Sequence, residues 1–374
     1  MKQRYNCAGG SRLAAVIVLL ALVLGLTSCG SMGGGTAEPE TVEKQAFYLN
    51  TVCNIRLQEW EGDYEEGEAL VNQAFSLCAQ LEHKMSRTVA GSDVDHINTA
   101  GGQPVEIDDG RVAEVLELGL DYSRLSDGRF DITVGRLAEL WNFSGVDPSV
   151  PDDTDIREAV AHVNYENLTV EAVAPDDPMV VESGTESGTW RVTLSDPEAK
   201  IDLGAVAKGY IVDEVSDYLR ENGAVRGIVD FGGNISCIGA KESGEPWIIG
   251  VKKPFGAGDT REDQQDSLIG TVELGADCSA VTSGTYERRF TQDGVLYHHI
   301  LDPATGYPCD TDVSGVTIIG ERSGQCDGLS TVCLILGVED GMALIESLPD
   351  FEAVFVDTQG QVHCTSGVVF TPAQ

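Results

Sequence analysis

The fold is decided by Ile201-Asp202-Leu203-Gly204-Ala205-Val206-Ala207-Lys208-Gly209-Tyr210. An extended apolar start passes through Gly204 into a helix expected over 206–222, with Gly223 as its stop. A strand end that enters a helix through glycine leaves free backbone N–H groups at the helix start, a natural seat for phosphate. Lys208 adds a positive charge there. The glycine spacing and the Lys-Ser/Thr pair of a Walker loop are both missing. Taken alone, the stretch also reads as a capped helix start with a solvent lysine.

Toward the N-terminus, alternation at Thr51, Cys53, Ile55 and Leu57 predicts a strand over 46–57. Leu70, Ala74, Leu77, Leu81 and Met85 form one face of an amphipathic helix over 65–85. A second helix is expected over 110–124. Past Pro148 and Pro151 comes a short helix over 155–163, with Asp153 or Thr154 as its cap. Hairpin strands follow, separated by a surface loop near 174–189. Beyond the central helix, strands are expected over 227–230, 234–238, 247–252, 268–273, 278–282, 296–301 and 313–320. Helices over 328–336 and 338–347 precede strands over 352–357 and 362–365. This mixture, with many hairpin-like neighbours, predicts an α+β fold without internal repeats.

The chain has 374 residues, 42% hydrophobic and 23% charged, which is a globular composition. Its net charge of -37 argues against nucleic acid as a partner, because phosphate backbones are bound by displacing counterions with Lys and Arg. An anionic ligand must therefore be held by local donors or a metal ion, against the overall field.

Residues 1–28 read as an export signal. Lys2, Arg4 and Arg12 precede an apolar run over 13–26, shorter than the roughly 20 residues of a spanning helix. Leu26-Thr27-Ser28-Cys29 looks like a bacterial lipobox, which makes Cys29 the lipidation site. An ordinary cleaved signal with an incidental cysteine is the alternative. Residues 29–45, beginning Gly30-Ser31-Met32-Gly33-Gly34-Gly35, are expected to be a flexible tether. Of ten cysteines, Cys7 leaves with the signal and Cys29 takes the lipid. The remaining cysteines form no CxxC pair and no zinc spacing. Export permits disulfides, but Cys53, Cys78, Cys237 and Cys333 also read as small buried side chains, and no pairing is assigned.

Three further clusters break the element pattern. Asp127-Gly128-Arg129-Phe130-Asp131-Ile132-Thr133-Val134-Gly135 leads to Trp141, and Phe130 or Trp141 can pack near an aromatic ligand; alone, it reads as a turn and a strand. Asp230-Phe231-Gly232-Gly233-Asn234 calls for positive φ or close ligand approach, and equally for a tight β-turn. The longest cluster runs through Thr282-Ser283-Gly284-Thr285-Tyr286-Glu287-Arg288 and His298-His299-Ile300-Leu301-Asp302-Pro303 to Cys326-Asp327-Gly328-Leu329-Ser330-Thr331. Asp327 and Thr331 stand four apart at a helix start, on one face, with oxygen donors suited to Mg²⁺. An N-cap Asp with a helix-facing Thr is the plain structural alternative.

The pieces GRFDITVG, IDLGAVAKGY, DFGGN, TSGTYERRF, HHILDPATGYP and DGLST, in this order, resemble the ApbE family of flavin transferases. The resemblance runs over 46–370 and implies one T-fold-like α+β domain of mixed or antiparallel sheets with packed helices. It implies Mg²⁺ held by the side chains of Asp327 and Thr331, by Ser330 and by the Ala205 carbonyl. FAD, as substrate, is expected to contact Leu49, Arg129, Phe130, Asp131, Asp202 and Lys208, with Leu301 and His299 nearest the flavin. Two positions depart from the family: Leu49-Asn50-Thr51 replaces Met-Gly-Thr, and Thr88 stands where an aromatic is common after Ser86.

The activity so implied is Mg²⁺-dependent transfer of FMN from FAD to a Thr or Ser hydroxyl of an exported acceptor, with release of AMP. Such acceptors are flavoproteins of electron-transfer complexes, and the enzyme would sit lipid-anchored on the outer face of the cell membrane. His299 is the candidate general base, its ordinary pKa of about 6.5 suiting the task. His298 would face the other way on a strand. The rivals are a metal-dependent FAD pyrophosphatase and a non-catalytic FAD-binding lipoprotein.

Overall fold

A positive-φ pair, Leu49 (φ 55) and Asn50 (φ 56), folds the first expected strand into a hairpin. Strands β1 (Val42–Tyr48) and β2 (Thr51–Trp60) pair antiparallel across this two-residue turn, with Tyr48 opposite Thr51. Left-handed conformation at both loop residues matches the twist of paired strands. The alternation marked the strands, but Leu and Asn do not announce such a turn as Asn-Gly would. The computed structural model describes residues 41–173, 187–254 and 267–373. The signal, Cys29 and most of the expected tether lie outside these. The tether nonetheless ends before 45, because Val42 is already in β1 and fully buried.

The remaining strands are β3 (Val105–Asp109), β4 (Leu168–Val173), β5 (Ser187–Leu194), β6 (Ala224–Phe231), β7 (Asn234–Ile238), β8 (Trp247–Lys252), β9 (Leu268–Leu274), β10 (Ser279–Gly284), β11 (Arg289–Gln292), β12 (Val295–His298), β13 (Val313–Gly320), β14 (Glu352–Asp357), β15 (Val362–Cys364) and β16 (Phe370–Pro372). Six of these join β1 and β2 in one eight-stranded sheet in the order β1-β2-β6-β7-β10-β13-β14-β15, with every neighbouring pair antiparallel. Small sheets β16-β9-β8, β3-β5-β4 and β11-β12 complete the set. Of the expected loop near 174–189, residues 174–186 lie outside the described residues, and 187–189 already belong to β5.

The helices are α1 (Tyr64–Met85), α2 (Asp93–Thr99), α3 (Gly110–Leu125), α4 (Gly135–Trp141), α5 (Asp153–Val160), α6 (Ala207–Glu221) and α7 (Ser323–Glu346). Residues from α1, α6 and α7 share the main core with Ile55, Val229, Val281 and Phe355 of the large sheet. The opposite sheet face packs Cys237, Ala280 and Val354 against Trp247, Ile249 and Val272 of the β8–β9 ladder. The T-fold-like α+β architecture holds.

Several local expectations are corrected. The helix expected at 328 starts at Ser323, so Asp327 and Thr331 lie past its first turn; the glycines Gly324 and Gly328, which disfavour helix, hid that turn. Gly337 at φ 87 breaks α7 where the two expected helices were to meet. The strand expected over 296–301 ends at His298, and Leu301 only bridges Pro308. The GRFDITVG stretch forms no named strand and leads into α4. Helix α5 starts at Asp153 behind Asp152, and neither Asp153 nor Thr154 caps it.

Candidate active site

Glycine sets the distance between α6 and α7. A Cβ on Gly209 would come 2.4 Å from the Ser323 carbonyl oxygen and 2.7 Å from Asp327 Cβ. That close approach brings Asp327, from α7, against the first turn of α6. The Gly209 N–H donates to Asp327 Oδ2 (2.8 Å), and the Lys208 ammonium stands 3.4 Å from Oδ1. Asp327 is 3% exposed, and a carboxylate this deep needs such partners. Asp213 of α6 ties down the start of α7, accepting the Ser323 and Gly324 N–H groups (2.8 Å each). Burial pushes Asp213 up to about 6, although the Arg322 charge and the two N–H donors oppose it.

The segment leading into α6 is held open by Asp202. Its Oδ1 accepts the Gly204 N–H (2.8 Å), and its Oδ2 accepts from Arg87 Nε (2.6 Å). The 127–135 segment runs alongside: Asp202 N–H donates to the Ile132 carbonyl (2.8 Å), and Gly135 N–H to that of Lys200 (2.9 Å). Asp131 accepts the Thr133 N–H and hydroxyl (2.7 Å each) and the Tyr165 N–H (2.8 Å), so both its oxygens bind the protein itself. Burial raises its pKa against these donors. At the end of α4, Asn142 adopts φ 43, and Phe143 stacks on Trp141 with 5.4 Å between centroids.

These segments line one cleft of about 1120 Å³, its solvent-facing mouth included. Phe130, Asp131, Asp202, Ala205, Lys208, His299, Leu301, Asp327 and Thr331, all expected from sequence, line it together. Leu49, Arg129 and Ser330 do not line it. Leu49 sits in the β1–β2 turn with its N–H on Glu82 Oε1 (2.8 Å), and Arg129 is exposed on its turn. Ser330 is fully buried, with its hydroxyl on the Asp327 carbonyl and on Ser283 Oγ (2.7 Å each). Trp141 is also fully buried and outside the lining. Sequence reasoning missed Arg87 and Phe143, which also line the cleft. No glycine-rich pattern marks Arg87, and Phe143 lies two residues past the aromatic considered for ligand packing. Glu287 and Arg288 lay inside a quoted motif without an assigned role.

His299 lines the cleft while His298 does not. Strand alternation does not account for this, because β12 ends at His298, and His299, Ile300 and Leu301 all line the cleft. The His299 N–H donates to the Arg288 carbonyl (3.1 Å), and its Nδ1 has no hydrogen-bond partner. Burial, then the charges of Arg288, His298 and Lys208, hold its pKa well below 6.5. The imidazole is therefore neutral at neutral pH, with a lone pair available. Burial also raises Glu287, with Lys208 and Arg288 opposing.

No group of three or more His, Cys, Asp or Glu suited to a metal occurs among the described residues. The donors at the floor are of another kind: one buried carboxylate, the Thr331 hydroxyl one turn on, and the Ala205 segment lining the same cleft. An ammonium already drawn to Asp327 shows that the floor attracts positive charge. Oxygen donors of this sort fit a hard cation such as Mg²⁺. The eight described cysteines are free thiols.

The ApbE family model matches residues 49–355. The FAD:protein FMN transferase of Treponema pallidum is 32% identical over 362 residues, covering 94% of this chain and 93% of its own length. That of Klebsiella pneumoniae is 37% identical over 294 residues, covering 78% and 84%. Among solved structures, the ApbE protein of Thermotoga maritima has a TM-score of 0.72 at 32% identity, over 87% of this chain and 97% of its own. The flavin transferase ApbE of Vibrio cholerae has a TM-score of 0.71 at 28% identity, with the same coverage. Fold and cleft thus define a transferase whose cargo is a flavin. The chain belongs to the ApbE family.

Proposed function

We propose that the enzyme transfers FMN from FAD to a Thr or Ser hydroxyl of an exported acceptor protein, releasing AMP. The observation that carries this reading is the meeting of Asp327, Thr331, Ala205, Lys208 and His299 in one cleft. Lys208 and Arg288 line it as cations in a chain of net charge -37, and supply local attraction for a diphosphate. Mg²⁺ held by Asp327, Thr331 and the Ala205 carbonyl would neutralise the diphosphate and polarise its P–O bonds.

The residues of the chain do the rest. His299 takes the proton of the acceptor hydroxyl as its oxygen bonds to the phosphorus on the riboflavin side. The bond from that phosphorus to the bridging oxygen breaks, and AMP leaves with the electron pair. The low pKa of His299 weakens it as a base. A bound diphosphate beside Arg288 and Lys208 offsets the charges that depress it, bringing the imidazole closer to its working range. We further propose that Cys29 carries a lipid, and that the enzyme works on the outer face of the membrane on flavoproteins of electron-transfer complexes.

Incubation of the soluble part with FAD, Mg²⁺ and a candidate acceptor tests the reading. Flavin fluorescence on the denatured acceptor is expected. Free FMN alone would make the protein a pyrophosphatase, and intact FAD would make it a binder.

A further inference from the structure

The cleft is lined by two unlike sets of side chains. Asp202, Lys208, Asp327 and Thr331 are among the polar ones, while Phe143, Val134, Ala138 and Leu301 are among the apolar ones. Phe143 is half-buried and rests on a built support. Its ring lies nearly parallel to Trp141, with 5.4 Å between centroids and 7° between planes. Phe290 touches it from another side at 5.5 Å. Trp141 in turn is fully buried and fixed by its indole N–H on the Gly306 carbonyl (2.7 Å). An aromatic ring held so firmly at the edge of a cleft loses little entropy when a second ring settles on it.

We infer that Phe143 is the platform for the isoalloxazine ring, and that its stack on Trp141 fixes where the flavin end of FAD settles. This rests on the transfer reading above and adds a positioning residue to it. The ring system is planar, aromatic and largely apolar on its faces, whereas the ADP half is anionic and hydrogen-bonding. With the flavin on Phe143 beside Leu301 and the diphosphate toward Lys208 and Asp327, each half of FAD meets side chains of its own kind. The platform also sits beside Leu301 in one apolar cluster with Trp141, and Leu301 is two residues from His299. Holding the ring here would hold its attached phosphate near the imidazole.

The test compares FMN, FAD and ADP-ribose binding to the soluble protein, by flavin fluorescence and calorimetry, for the wild type, Phe143→Ala, Phe143→Leu and Phe143→Trp. Loss of the ring is expected to weaken FMN and FAD about tenfold in the Ala and Leu variants, with Trp restoring most of it. ADP-ribose, which lacks the flavin, is expected to bind all four proteins equally, which also shows that the cleft is intact. KM for FAD should rise more than kcat falls. Unchanged FMN affinity in both Ala and Leu variants, or equal weakening of ADP-ribose, would overturn the assignment. A wild type that binds neither FMN nor FAD would instead sink the transfer reading on which it rests.

Discussion

Lys208 and Asp327 pair across α6 and α7, with 3.4 Å between Nζ and Oδ1, while the neighbouring Gly209 N–H holds the second carboxylate oxygen. The same carboxylate thus joins two helices and anchors the cleft's lysine, and in the proposed function it is also the acidic donor for a cation. Its burial makes these roles inseparable, since an ionised group in this position is stable only while partnered.

Asp327→Asn is therefore expected to keep the fold and lose the cation. An amide preserves the shape and one acceptor for the Gly209 N–H but carries no charge. Transfer should fall at least about 100-fold, and the Mg²⁺ concentration giving half-maximal activity should rise. Chelation of the wild type should abolish transfer, and added Mg²⁺ should restore it. Full activity of the variant at low Mg²⁺ would remove Asp327 from the metal site.

His299→Ala should abolish FMN transfer while leaving FAD bound. With the histidine pKa well below 6.5, the wild-type base is already deprotonated at neutral pH. Activity should accordingly be flat through neutrality and fall only on the acid side, below that value. A pH profile of kcat/KM, beside FAD titration of the variant, reads both. Undiminished transfer by the variant would take His299 out of the mechanism.

Much of the site was legible because its residues stand beside glycines that punctuate the pattern. Gly204 and Gly209 flank Lys208, and Gly328 follows Asp327, so close packing contacts and functional side chains arrived together. Helices α1 and α6 and strands β7, β8 and β13 were legible from period and stops alone. What sequence hid depends on contact between distant segments. A separation of 115 positions between Arg87 and Asp202 leaves no local sign of their pairing. Phe143 lines the cleft just past Asn142, whose left-handed conformation non-glycine residues rarely announce. Ser330 shares a helix with Asp327 and Thr331, and its spacing alone could not show that its hydroxyl bonds Ser283 instead.

Gly209→Ala tests whether helix spacing positions the carboxylate. A methyl group 2.4 Å from the Ser323 carbonyl and 2.7 Å from Asp327 Cβ cannot be accommodated without moving backbone. Overpacking of this kind costs about 1–3 kcal/mol. Part of the strain should be relieved by separation of α6 from α7, which lengthens the Gly209 N–H to Asp327 bond. We expect a lower unfolding midpoint together with a higher Mg²⁺ concentration for half-maximal transfer. A variant as stable and as active as the wild type would show that the helices tolerate a wider gap.

Asp109 offers a pH test that is independent of the chemistry. It caps α3 by accepting the Arg111 N–H (3.1 Å), takes two bonds from the Arg111 guanidinium (2.9 and 2.8 Å), and lies 3.3 Å from Lys84. Burial favours its neutral form, but the Arg111 bonds and charge, with Lys84, outweigh burial and bring it from 3.8 down to about 2. A folded pKa below the unfolded one means that folding favours the carboxylate. The contribution is therefore present above 3.8 and is lost as the pH falls through about 2. A shift of this size corresponds to about 2 kcal/mol at neutral pH. Asp109→Asn should be less stable than the wild type by that order in urea unfolding at neutral pH, and the two proteins should converge toward pH 2. A gap independent of pH would mean that lost hydrogen-bond geometry, and not the charge of Asp109, sets the cost.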